Sequence, residues 1–372
     1  MQKIWNSLGL MSGTSGDGVD ASIIKTNGEN QYESVKNKYF EYDSKIYKDI
    51  HSLKEKIHKI NHLKTFKNEI DNLERKITIF HAEVIRDLNI DENTIIGFHG
   101  QTIYHNSKEK ISKQLGNGKL LNQLTKKNIV FNFRNNDILN GGEGAPLTPI
   151  FHQLITSQIK IETPVCFLNI GGISNITIVS KNEKRTELIS KDIGPGNCLI
   201  DTWVRNNSNK KFDKDGMLAS GGTKNEIIFE QAQELYSNRN NKKKLSFDTS
   251  DFDVSFVRGL SLEDGVTTLT DFTASIIGEE LFLSLKESKE KIKRILICGG
   301  GRKNKVLIEK IKKNVPSNIN INLIDNYKID GDFIESQAFA FLAIRSILNL
   351  PITYPNTTGC KAPCLGGEII KN

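Results

Sequence analysis

The chain has 372 residues, 37% hydrophobic and 26% charged, with a formal net charge of +7. That length suits two domains rather than one core; the composition is that of a soluble globular protein, and no run approaches the roughly 20 apolar residues of a membrane span. The modest charge and the lysine clusters Lys242–Lys244, Lys289–Lys293 and Lys312–Lys313 read as solvated faces, and without aromatic interleaving or a recognised motif they argue against a nucleic-acid partner.

The opening MQKIWNSLGLMSGTSG has no long apolar segment, so no cleaved signal peptide is expected. Strand-like runs at 4–10 and 19–24 flank GLMSGTSGDGVD (9–20). Its glycines permit a tight turn and close approach of a ligand. Successive backbone N–H groups in such a turn can form an anion nest, and carboxylates beside a nest make sense once magnesium is added. Two readings stand: a turn that holds nucleotide phosphate with its magnesium, or an ordinary glycine-rich hairpin.

Asn27-Gly28 predicts a turn and 32–42 a third strand. Apolar residues then recur at helical spacing, Ile50, Leu53, Ile57, Ile60, then Phe66, Ile70, Leu73, Ile77, Phe80, Val84 and Leu88. They predict two helices, the second long. A short buried strand at 94–98 is expected to end in His99-Gly100-Gln101-Thr102-Ile103-Tyr104-His105. Strand ends of this kind bind ligands in α/β proteins, although a single histidine there reads first as structural. A helix at 116–127, a strand at 129–133, Arg134 and Asp137 after it, a loop at 141–146 and a helix from about Pro149 follow. The domain change is expected at 128–135.

The second half echoes the first: strand 165–168, glycine turn Asn169–Asn175, strand 176–179. Two such turns facing each other would clamp one phosphate chain. A strand near 187–190 runs into Lys191-Asp192-Ile193-Gly194-Pro195-Gly196-Asn197, and a helix is expected from Cys198, its N-terminal amides facing the same cleft. Asp192 at that strand end is placed to take a proton from a nucleophile. The competing reading is a turn or capping aspartate; the neighbouring Gly-Pro-Gly and the glycine turns favour the base. A polar loop at 206–222 precedes helices at 225–236 and 264–285. Strand 294–297 then enters Cys298-Gly299-Gly300-Gly301-Arg302-Lys303-Asn304 before a helix near Lys305. This fits a nucleotide base or ribose lying on backbone, or simply a close strand–helix turn; there is no P-loop and no dinucleotide fingerprint. Strand 320–325 and helix 330–348 follow, with Glu335 in the first turn as a dipole partner or a second acid. The five cysteines read as reduced thiols of a cytoplasmic protein, and the isolated Cys360/Cys364 pair predicts no zinc site.

Paired glycine hairpins with a late strand-GGG-helix resemble the sugar kinase, actin and chaperone ATPase superfamily. Within it the chain is similar to the anhydro-N-acetylmuramic acid kinase family. The segments that carry the resemblance are GLMSGTSGDGVD (9–20), GFHGQTIYH (97–105), FRNNDILNGGEGAPLTP (133–149), LNIGGISNIT (168–177), DIGPGNCLIDTW (192–203), CGGGRKN (298–304), FIESQAFAFLA (333–343) and LPITYPNTTGC (350–360). The resemblance implies an α/β fold of two ribonuclease-H-like lobes with a cleft between them. The N-terminal lobe would span 1–130, with the tail from about 350 packing back on it; the C-terminal lobe would span 131–349.

It also implies ATP-dependent phosphorylation of 1,6-anhydro-N-acetylmuramic acid with hydrolytic opening of the anhydro ring, in the cytoplasm, as part of cell-wall recycling. Asp192 would be the base that activates water, and Glu335 a second acid that helps orient that water or tunes Asp192. Gly13, Thr14, Ser15, Gly16, Asp17, Gly18, Val19 and Asp20 would hold the ATP phosphates, with Asp17, then Asp20, as the Mg2+ ligand. Gly299, Gly300, Gly301 and Asn304 would receive the adenosine; His99, Gln101, Thr102, Arg134 and Asn169 would line the sugar site, Arg134 pairing with the lactyl carboxylate. Gly16, Asn132 and Glu143 depart from the family's usual larger apolar residue, Asp and Gln. The partners implied are the sugar and ATP, with a homodimer left open and neither nucleic acid nor membrane. The alternatives are an ordinary hexosamine kinase and a non-enzymatic actin- or chaperone-like nucleotide-binding protein.

Overall fold

A computed structural model describes residues 3–181, 186–238, 246–288 and 290–372; Lys242–Lys244 and Lys289 lie outside the described residues. The chain divides into two units, Met1–Ile161 with Asp332–Asn372, and Glu162–Gly331. In chain order the first unit contains β1 (Trp5–Ser12), β2 (Gly18–Thr26), β3 (Tyr32–Glu41), α1 (Ser44–Lys56), α2 (Ile60–Thr65), α3 (Lys67–Leu88), β4 (Ile95–Asn106), β5 (Ile111–Leu115), α4 (Gly118–Thr125), β6 (Ile129–Phe131), α5 (Asn135–Leu139) and α6 (Pro149–Gln158). The second supplies β7 (Val165–Ile170), β8 (Ile173–Lys181), β9 (Thr186–Pro195), α7 (Cys198–Asn207), α8 (Met217–Gly221), α9 (Glu226–Ser237), α10 (Leu262–Glu287), β10 (Arg294–Cys298), α11 (Lys305–Lys313) and β11 (Asn320–Leu323). The chain returns to the first unit with α12 (Ile334–Ile347), α13 (Pro355–Thr358) and β12 (Glu368–Ile370).

The boundary differs from the 1–130/131–349 division expected from sequence. β6 pairs parallel with β4 and antiparallel with β12, and α12 packs on β1, β2 and β4. Residues 131–161 and 332–349 therefore belong with the first unit, and the tail closes its sheet through β12.

In the first unit the sheet order among the described residues is β12-β6-β4-β1-β2-β3, with β5 paired to the distal part of β4. Strand alternation sorts its two faces. Leu8, Leu10, Val19 and Ala21 meet Ile50 and Leu53 of α1 and Ile70, Leu73 and Ile77 of α3 in one buried cluster. On the other face Ser7 Oγ donates to the Ala340 carbonyl of α12 at 2.8 Å. Gly9 and Gly97, register partners on β1 and β4, lie under the same helix. A Cβ on Gly9 would stand 1.8 Å from the Ser336 carbonyl oxygen, and one on Gly97 2.3 Å from that of Phe339. Gly9, in the strand-like run expected at 4–10, is thus a packing glycine that lets α12 lie against the sheet.

The second unit repeats the order, β11-β10-β7-β8-β9, again with the second strand of the hairpin antiparallel to the first. Both units thus have the ribonuclease-H-like strand order. Leu168, Ile170, Ile176, Ile295 and Ile297 pack one face against Ile277 and Leu281 of α10 and Leu307 and Ile311 of α11. A separate helical cluster joins α7, α8, α9 and α10 through Trp203, Leu218, Ala232 and Leu269. The predicted 206–222 loop contains α8; of the two helices predicted in the 44–88 stretch the long second one is α3, whereas Ile60, counted with the first, begins the separate short α2.

Candidate active site

The candidate residues occupy both units, and each set follows from the ends of parallel strands. In the first unit β1, β4 and β6 run parallel, with Ser12 beside Gln101 and Phe98 beside Phe131. Their C-terminal ends bring the 13–17 turn, His99 to Thr102, and Arg134 to one edge. β4 does not stop at Phe98 as expected; it continues to Asn106 because β5 pairs with it, so His99–His105 lie within a strand.

The turn is held by its carbonyls. Gly13 O accepts from Gln101 Nε2 at 2.9 Å and from Gly16 N at 3.2 Å, Thr14 O from Lys54 Nζ at 2.7 Å, and Ser15 O from His51 Nε2 at 3.0 Å. A peptide N–H points opposite to the carbonyl of its own plane. Fixing the Gly13 and Thr14 carbonyls therefore turns the Thr14 and Ser15 N–H groups the other way, an arrangement suited to an anion. A Cβ on Gly13 would meet nothing of the protein nearer than 3.8 Å, so no neighbour in the protein requires glycine there. Gly16 sits at φ +62°, and a Cβ would stand 2.9 Å from Ile50 Cγ2, so a larger residue has no room here. Gly18 is likewise forced, its Cβ position 2.4 Å from the Phe40 carbonyl oxygen. Val19 is core. Asp17 accepts from Ser15 Oγ at 2.6 Å, and burial together with Asp17 and Asp20 pushes the Tyr39 phenol up. Asp17, held by Ser15 Oγ, offers hard oxygen of the kind Mg2+ takes together with phosphate oxygens. The described residues hold one cluster of three potential metal ligands, Asp137, Cys360 and Cys364, so the cysteine pair has an acidic neighbour that spacing did not reveal.

His99 is buried and neutral. Arginine only donates, and Arg134 reaches His99 Nε2 through Nη2 at 2.9 Å and Nε at 3.2 Å. The ring proton is therefore on Nδ1, which donates to the Gly100 carbonyl at 2.7 Å. Burial, reinforced by the Arg134 charge, holds this imidazole well below its ordinary pKa. Arg134 Nη1 also donates to the Gly144 carbonyl at 2.7 Å, so the guanidinium is oriented by two anchors. Gln101, expected at the sugar, supports the 13–17 turn through its Nε2, while its Oε1 is buried without a hydrogen-bond donor among the described residues. Thr102 Oγ1 accepts from Gln114 Nε2 of β5 at 3.2 Å. Glu335 is half-buried in the first turn of α12. Glu143 N donates to the Thr358 carbonyl, which ties its loop to the tail.

In the second unit Asn169 on β7, Asn175 on β8 and Asp192 on β9 are successive register partners, with Cys298 beside Asn169. The register slips immediately after Asp192: Ser174 pairs Gly194, so Ile193 is an extra residue, a bulge of the kind that re-aims a side chain. Asp192 is 8% exposed, and its Oδ2 accepts from Phe247 N at 2.7 Å. Within this unit the Gly171-Gly172 turn is tied to the Gly194-Pro195-Gly196 turn and the start of α7, Asn197 N donating to Gly171 O at 2.8 Å and Cys198 N to Gly172 O at 3.1 Å.

At the triple glycine, Gly299 and Gly301 are forced: Cβ atoms there would stand 2.4 Å from Asn169 Oδ1 and 2.2 Å from Ile170 Cγ2. Gly300 faces open space, with nothing within 4 Å of its Cβ position. Arg302, buried, fixes this turn through a bidentate pair with Asp325 at 2.8 and 2.9 Å and a bond to Gly299 O at 3.1 Å. Asn304 caps α11, its Oδ1 accepting from Leu307 N at 3.0 Å. Sequence reasoning missed His51, Lys54, Gln114, Asn175 and Phe247. The spacing of His51 and Lys54, three apart beside the buried Ile50–Leu53 stripe, was the available signal.

The family model for anhydro-N-acetylmuramic acid kinase matches residues 6–372. A protein of Pelagibacter ubique (strain HTCC1062) named anhydro-N-acetylmuramic acid kinase is 55% identical over 377 residues, covering 100% of both chains. Proteins of the same name from Zymomonas mobilis and Agrobacterium fabrum are 36% and 34% identical; the alignments cover 98% and 100% of this chain and 99% and 100% of theirs.

Proposed function

This chain belongs to the anhydro-N-acetylmuramic acid kinase family, and on that basis we propose that it phosphorylates 1,6-anhydro-N-acetylmuramic acid from ATP while water opens the anhydro bridge. The product is N-acetylmuramic acid 6-phosphate and the setting is cell-wall recycling in the cytoplasm. The observation that best supports this reading is Asp192: a buried carboxylate next to a strand bulge, oriented by the Phe247 amide.

Water is a poor nucleophile without a base. Asp192 takes one proton from water as the water oxygen bonds to the anomeric carbon. The bond from that carbon to the bridging O6 breaks, and its electron pair stays on O6. O6 then bonds to the γ-phosphorus as the bond to the β-phosphate oxygen breaks and ADP leaves. Phosphoryl transfer depends on positioning and charge stabilisation rather than covalent help. The 13–17 turn offers oriented N–H groups and the uncrowded Gly13 for the phosphates, and Gly300 offers an open backbone surface for adenosine. Asp17 is the Mg2+ ligand in this reading; the ion supplies neutralisation of phosphate charge. His99 presets Arg134 for a carboxylate such as the lactyl group, and Glu335 is a second acid of the reaction.

An ordinary hexosamine kinase would need no base aimed at an anomeric carbon. Incubation with Mg-ATP and either 1,6-anhydro-N-acetylmuramic acid or N-acetylglucosamine separates the two. Phosphorylation of the anhydro sugar is expected; phosphorylation of N-acetylglucosamine alone would contradict the reading.

A further inference from the structure

We propose that Asn175 positions the attacking water, its Oδ1 holding the hydrogen that Asp192 does not take. This rests on the reading of Asp192 as the base. Asn175 is the cross-strand partner of Asp192 on one side and of Asn169 on the other. Directly opposed residues present their side chains on the same face, so the three polar side chains form a row across β7, β8 and β9. The bulge at Ile193 lies at the Asp192 end of this row.

Asn175 Oδ1 is buried and accepts no hydrogen bond from the described residues. A buried acceptor left unmet is costly, so it calls for a partner, and a bound water is one that would meet it. The neighbouring base gives this acceptor a use. A water molecule that attacks carbon must aim a lone pair at it, so both of its O–H bonds must point elsewhere. Asp192 accepts one of them and removes that proton. An amide oxygen is too weak a base to take the other, so it holds that hydrogen throughout and sets the direction of the lone pair. Phe247 N fixes the plane of the carboxylate on the same principle. Amide and carboxylate on adjacent strands then define one orientation of the nucleophile, and small misplacements of reacting groups are expensive in rate.

The test uses Asn175→Val and Asn175→Ala in the full chain, assayed with Mg-ATP and 1,6-anhydro-N-acetylmuramic acid in heavy-oxygen water. The expected result is a fall in kcat of about 10²-fold, KM for ATP within about twofold of wild type, and a Tm equal to or above wild type because an unmet acceptor has been removed. A purely structural role would not separate these readouts. Retention of kcat within about threefold in either variant overturns the proposal, as does a loss of kcat that tracks a loss of Tm in both. If the wild-type chain itself forms no labelled phosphosugar, the reaction assignment fails and the role of Asn175 with it. If wild type and variants form it equally, only Asn175 is wrongly assigned.

Discussion

Gln101 Nε2 donates to the carbonyl oxygen of Gly13 at 2.9 Å, joining a residue of β4 to the first residue of the glycine turn. With Lys54 on Thr14 O and His51 on Ser15 O, three successive carbonyls are held from behind. The turn is therefore shaped before nucleotide arrives. Gln101→Leu removes one hold, and one hydrogen bond contributes about 1 kcal/mol. KM for ATP should rise roughly five- to tenfold with kcat little changed. A KM for ATP equal to wild type would show that the turn does not depend on this bond.

Gly9 and Gly13 lie in the same motif yet answer to different constraints. A methyl on Gly9 would collide with the Ser336 carbonyl at 1.8 Å, whereas one on Gly13 meets nothing nearer than 3.8 Å. Gly9→Ala should cost about 3 kcal/mol or more through overpacking under α12. Gly13→Ala should leave Tm within about 1 °C but weaken ATP binding about tenfold or more, because only a ligand would meet the new methyl. Thermal unfolding and nucleotide titration of both variants check the contrast; a destabilised Gly13→Ala would remove it.

Burial keeps three histidines of the first unit neutral: His81 is pushed down to about 4, His152 to about 3, and His99 lies well below the ordinary value. The unfolded chain takes up protons at these sites near 6.5, and the folded chain does not. Stability is therefore fully present above 6.5 and falls as pH drops from there, levelling only below each folded value. For His81 the full effect is roughly 3 kcal/mol. Urea unfolding from about pH 7 to about pH 5 should show this decline, and His81→Leu should lessen its slope by about a third, since His99 and His152 remain. A pH-independent midpoint across that interval would contradict the account.

Asp192→Asn keeps an oxygen for the Phe247 amide while removing the base. Turnover should fall by about 10³-fold or more, with ATP affinity nearly unchanged. Near-normal turnover would remove Asp192 from the chemistry.

Much of this architecture was legible because it is local. The alternation of Leu8 and Leu10 with Ser7 and Gly9 marks β1, and Ile70, Leu73 and Ile77 mark α3 by their spacing. Repetition of strand, glycine turn, strand at 165–179 marks the second sheet. What was not legible depends on long-range pairing. Nothing near residue 130 shows that the chain leaves the first unit at Ile161 and returns at Asp332. β5 is a short strand of mixed polarity, ISKQL, and only its partner β4 makes it one. Gly9 resembles its neighbours in the turn, and its role needs α12, more than three hundred residues away. The row of Asn169, Asn175 and Asp192 exists only as a register between strands, and the bulge that closes it has no sequence mark apart from Gly194-Pro195-Gly196 nearby. Asn304, by contrast, carried a local cue: an Asn directly before a helix is a capping signal, and it does cap α11.

The most direct test of the central claim is the mass and position of label in the sugar formed from 1,6-anhydro-N-acetylmuramic acid and Mg-ATP in heavy-oxygen water. One heavy oxygen at the anomeric carbon of a 6-phosphorylated sugar is the predicted result, since water opens the ring and O6 keeps its original atom. A phosphorylated product with the anhydro ring intact, or one without anomeric label, would contradict it.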